Sequence, residues 1–122
     1  MKTSLLILAA ALIGQFVYAQ EKPEEGKDQY FILIYSLGES WDPSKSPSEQ
    51  LYFADHSAHL RDLRIKERIT IGARYSDKGM VILKAKNETE AREIAETDVS
   101  VKKKLFNVEI FILNAFYKGC IE

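Results

Sequence analysis

Cysteine is nearly absent: Cys120 is the only one in 122 residues. No intrachain disulfide can form, so Cys120 reads as a free tail thiol. No cysteine directly follows the apolar segment near the N-terminus, so no lipoprotein anchor is expected. Excess charge of either sign is also lacking, with a net charge of −1. There is no basic field to gather nucleic acid or anionic lipid, so neither partner is expected. Glycines are too few and wrongly ordered in "GARYSDKG" for a phosphate-cradling loop. The apolar run from Leu5 to Ile13 is short for a membrane span, which needs about 20 residues.

That run instead has the form of a secretory signal. "MKTSLLILAAALIGQFVYAQ" begins with a cation at Lys2, continues through the apolar segment and ends with Val17 and Ala19 around Tyr18. Residues 1–19 are expected to be removed as a signal peptide. The product is then exported, periplasmic or secreted, with no membrane attachment after removal. Residues 20–29, "QEKPEEGKDQ", read as a disordered linker.

The remaining length suits one domain, residues 30–119. "YFILIYSL" is apolar on both faces and reads as a central strand, with Phe31, Leu33 and Tyr35 opposite Tyr30, Ile32 and Ile34. A loop from 38 to 50 ends in a helix start: Ser46 as cap, Pro47 at the first position and Glu49 closing a capping box. The helix is expected from about Pro47 to Lys66. Its inward stripe holds Tyr52, His56, Leu60 and Leu63, with Phe53 and His59 at the margins. "ERITIGARY" alternates, placing Ile69, Ile71, Ala73 and Tyr75 on one face. "SDKG" turns into a further strand, "MVILKAK". A second capping box, Asn87 with Glu90, opens a short helix with Ala91, Ile94 and Ala95 inward. "DVSVKKKL" is a turn or short helix, and "LFNVEIFILNAF" is the last strand.

The order β-α-β-β-α-β predicts an α+β, ferredoxin-like fold with an antiparallel four-stranded sheet. Two helices cover one face of such a sheet. The other face is left apolar and bare, and a homodimer joined through it, a dimeric α+β barrel, is the simplest remedy.

The segments "AHLRDL", "IGARYSDKGMVILKAKNETEAREIAETD" and "VKKKLFNVEIFILNAFYKG" together resemble the YCII-related (YciI-like) domain over residues 30–119. The resemblance implies a dimeric α+β barrel and a His–Asp pair working without a cofactor; related members include a chloromuconolactone dehalogenase. By position it implies His59, followed by Leu60 and Leu63, as the histidine. It implies Asp98 as the aspartate, here followed by Val99 where the family usually has proline. Gly72-Ala73-Arg74 stands where Gly-Pro is usual, and the glycine between first helix and second strand is missing from "RIKERIT".

The chain's two histidines, His56 and His59, lie in one helical turn. Their spacing could share a metal ion, but zinc wants a third protein ligand and only a carboxylate such as Asp98 could complete the site, so no metal is expected. An acid–base pair needs an imidazole oriented by a carboxylate. His59 and Asp98 are the catalytic candidates, with His59 expected to titrate near or above its ordinary value. Arg74 is a candidate carboxylate contact, His56 a packed histidine or a second wall of the pocket, and Trp41 a packing residue or a lid in the loop after the first strand. The functional expectation is a cofactor-free acid–base enzyme acting on a small organic acid or lactone. Its alternative is a non-catalytic, ligand-binding or accessory dimer.

Overall fold

Alternation within the first strand decides the layering of the molecule. In β1 (Gln29–Leu37), Phe31, Leu33 and Tyr35 are buried while their neighbours stay half-buried or exposed. The computed structural model describes residues 26–119. The expected signal at 1–19, most of the linker and Cys120 lie outside the described residues. After β1 come a 3-10 turn (Pro47–Glu49), α1 (Phe53–Ile65), β2 (Ile69–Tyr75), β3 (Lys78–Ala85), α2 (Glu88–Glu96), α3 (Val99–Lys102) and β4 (Phe106–Leu113).

The strands form one antiparallel sheet in the order β2-β3-β1-β4, so the fold is α+β and ferredoxin-like. Register brings Phe31 opposite Leu83 and Ile112, Leu33 opposite Val81 and Ile110, and Tyr35 opposite Gly79 and Val108. These side chains share the helix-covered face, where Leu63 of α1 and Ala91 and Ala95 of α2 close the core. Leu33 and Leu83 are fully buried, each contributing about 1.5–3 kcal/mol by leaving water. Gly38 permits a close approach: a Cβ there would overlap the carbonyl of Lys104, just ahead of β4. The Gly38 N–H donates to Leu105 O at 2.8 Å, tying the exit of β1 to the entry of β4.

Three local expectations are corrected. The first helix does not run unbroken from Pro47. The Ser46–Glu49 capping box forms, but it closes only the 3-10 turn. Tyr52 then takes a left-handed conformation, φ 68°, and α1 starts at Phe53. Second, β2 does not keep Ile69 on the face of Ile71. A bulge between them leaves Ile69 opposite Leu83 on the covered side and Ile71 opposite Ile82 on the open side. One extra residue reverses alternation. Arg74, opposite Gly79, thereby falls on the helix side of the sheet.

Third, the second capping box is half made. The Glu90 N–H donates to Asn87 Oδ1 at 2.8 Å, but the Glu90 carboxylate accepts from Lys86 N–H at 2.6 Å rather than from Asn87. Its other oxygen accepts from Arg68 at 2.7 Å, which fastens α2 to the segment entering β2.

The open sheet face carries Tyr30, Phe111 and Tyr75, exposed by 43%, 49% and 45%, around half-buried Ile32, Ile34 and Ile82. No helix among the described residues is long and apolar enough to cross a membrane.

Candidate functional site

The sequence element that builds the site is the short link between α2 and α3. Asp98 is the N-cap of α3, and its Oδ1 accepts from Ser100 N–H at 2.9 Å. Such a cap fixes the carboxylate's direction. The second oxygen, Oδ2, is thereby presented to α1, where it meets His56 Nδ1 at 2.6 Å. Ser100 Oγ lies 3.3 Å from the same nitrogen. Asp98 is fully buried, and the His56 side chain is 11% exposed.

The partner of Asp98 is therefore His56, whereas the resemblance implied His59. The reason is helical phase. His56 and buried Leu63 are seven residues apart, which at 100° per residue leaves them about 20° apart on the helix. His59 stands about 60° away from His56, at the margin of the stripe. The element carrying Asp98 docks on the centre of that stripe. His59 remains partly buried with Nε2 unpartnered. Burial pushes its pKa below the ordinary histidine value; the Asp98 charge opposes this and the His56 charge adds to it. The expectation of a normal or raised value is thus reversed.

Burial alone would raise the Asp98 pKa. The hydrogen bonds from His56 and Ser100, with the His56 charge, outweigh it and hold the carboxyl below its usual range. With Nδ1 committed to the carboxylate, the neutral imidazole keeps its proton there and offers Nε2 as the basic nitrogen.

His56 lines a cavity of about 630 Å³ between the covered sheet face and the loop after β1. Trp41 and Arg74, both expected at the site, also line it; His59 and Asp98 do not. Phe106 gathers the aromatic wall. Its ring centroid is 4.8 Å from His56, 5.8 Å from Trp41, 6.3 Å from Phe53 and 6.4 Å from Tyr35. Arg74 is exposed at the cavity and has no carboxylate partner among the described residues. No group of three His, Cys, Asp or Glu side chains among the described residues is placed to hold a metal ion.

Two residues that sequence reasoning passed over belong to this site. Gln50, 5% exposed, accepts from Asp42 N–H at 2.9 Å and donates to Asp42 O at 2.6 Å and Lys45 O at 3.2 Å. It thus clamps the loop that carries Trp41. Tyr35 is 4% exposed and lines the cavity, with its hydroxyl unpartnered. The alternation of β1 marked Tyr35 as inward, but no local pattern distinguishes its hydroxyl from a packed one.

No protein-family model, curated protein or solved structure matches the chain.

Proposed function

We propose that the chain is a cofactor-free acid–base enzyme acting on a small organic acid or lactone, as its resemblance to YciI-like proteins implies. The observation that carries the reading is the His56–Asp98 hydrogen bond in the wall of a cavity of about 630 Å³. Asp98 fixes the imidazole and stabilises its cation, while Nε2 takes or returns a proton on the bound compound. Arg74 meets the compound's carboxylate, and the aromatic wall covers its apolar body. In this reading His56 takes the role first given to His59.

The same proposal includes export after loss of residues 1–19 and pairing of two copies through the open sheet face. That face holds Tyr30, Ile32, Ile34 and Phe111, and a standard interface removes about 800 Å² from each partner.

The test is deuterium exchange at carbon. Small carboxylic acids and lactones are incubated with the full chain in D2O and followed by proton NMR. Wild type should wash out protons next to a carbonyl, and His56→Gln should slow this by about 10²-fold or more. Wild type that exchanges none of them rules against the enzyme.

One observation favours a second reading, binding without turnover. Asp98 is fully buried and already serves α3 as its cap, as a purely structural pair would. In that case the compounds shift the His56 resonances and exchange no protons.

A further inference from the structure

The Tyr35 hydroxyl has no hydrogen-bond partner although its residue is only 4% exposed. An unpaired buried hydroxyl is destabilising, and phenylalanine would fill the same space without it. The ring stands edge-on to His56, with centroids 5.0 Å apart and planes at 68°. We infer that Tyr35 is the hydrogen-bond donor to a carbonyl oxygen of the compound that binds beside His56. The inference rests on the acid–base reading and adds the atom that reading lacks, a donor for the oxygen that gains charge.

The step balances as follows. A C–H bond next to the carbonyl breaks and its proton goes to His56 Nε2. The electron pair moves onto the carbonyl oxygen as an enolate. The Tyr35 O–H donates a hydrogen bond to that oxygen and keeps its proton. The imidazolium then returns its proton to carbon, at the same position or at the far end of the conjugated system. A donor aimed at developing charge in a water-poor site is worth far more than one in solvent.

Two further observations fit. Burial, with the Asp98 charge second, raises the Tyr35 pKa well above the ordinary tyrosine value, so the phenol remains a donor at any working pH. The ring beside it on the cavity wall, Phe106, is half-buried and touches Tyr35 ring to ring. The hydroxyl oxygen is itself closed off from solvent, so a ligand beside His56 meets it once a neighbouring ring such as Phe106 moves aside, a side-chain adjustment of the kind common on binding. The compound required is a carboxylate for Arg74 with a flat apolar body and a ketone or lactone carbonyl.

Two probes separate the carbonyl from the rest. Phenylpyruvate and 3-phenylpropionate share a ring and a carboxylate, and only the first has a ketone oxygen. Calorimetric titration of the full chain should show tighter binding of phenylpyruvate. Tyr35→Phe should weaken phenylpyruvate about tenfold, the worth of one hydrogen bond, and leave 3-phenylpropionate within about twofold. Its Tm should equal or exceed that of wild type, because the lost hydroxyl had no protein partner.

Equal losses for the two probes, or no loss, overturn the inference. A Tm lowered by several degrees does the same, since it makes the phenol structural. If neither probe binds wild type, the inference also falls. The acid–base reading is judged separately, by the His56→Gln exchange experiment.

Discussion

Gln50 holds Asp42 by both backbone groups, accepting from its N–H and donating to its carbonyl. The neighbour it thereby fixes is Trp41, on the cavity wall. Gln50→Ala would take the partner from Asp42 N–H and from Lys45 O and remove one of the two donors to Asp42 O. A stability loss of about 1–3 kcal/mol is expected, read from urea denaturation. Gln50→Glu keeps the acceptor but sets a buried carboxylate oxygen against the carbonyls of Asp42 and Lys45, so at neutral pH it should be at least as destabilising as alanine and should recover as the carboxyl protonates in acid.

Asp98→Asn keeps a side-chain oxygen for the Ser100 N–H and removes the charge that faces His56. The variant should lose about 1.5–3 kcal/mol at neutral pH, measured by denaturant melts. Because the folded state lowers the Asp98 pKa, its stabilisation is complete above the unfolded value of about 3.9 and is lost as pH falls through the lower folded value. The gap between wild type and variant should therefore narrow in acid below about pH 4.

His59 works in a different window. Its folded pKa is depressed by burial, so the unfolded chain binds a proton more readily. Its contribution is complete above the unfolded value of about 6.5 and is lost as pH falls towards the depressed one. Thermal melts between pH 7.5 and 5 should decline more steeply for wild type than for His59→Gln. Proton NMR should place the His59 midpoint below the ordinary histidine value.

For the open sheet face, the expected outcome is a particle of twice the chain mass in light scattering. Ile32→Asp places a charge at the centre of that face, next to Ile82 and Phe111 by register. It should yield folded monomer. A wild-type monomer at micromolar concentration would rule out the pairing.

Much of the fold was legible because it is written in local periodicity. β1, the β2–β3 hairpin and α2 each carry their own alternation or capping residues. What escaped were events that local patterns do not encode. The left-handed Tyr52 splits a segment whose helical stripe reads as continuous. The bulge after Ile69 is invisible because Ile69 and Ile71 fit a flat strand equally well. At the site, Asp98 was singled out only by the resemblance to YciI-like proteins, since an aspartate after a helix carries no signal of its own. The choice between His56 and His59 turned on about 60° of helix rotation and on where α3 docks. Gln50 gave no signal, since a glutamine in a polar loop looks the same whether or not it clamps the chain.

The ring cluster at Phe106 has a practical consequence. Trp41 is the chain's single tryptophan, and it sits 5.8 Å from the ring that also touches His56 and Tyr35. Indole emission from this protein therefore comes from one place, the wall of the candidate site. The colour of that emission reports how wet the wall is. A compound entering the cavity, a rotated Phe106 or a loosened loop would each change one optical signal, with no label added and no second fluorophore of its kind to subtract.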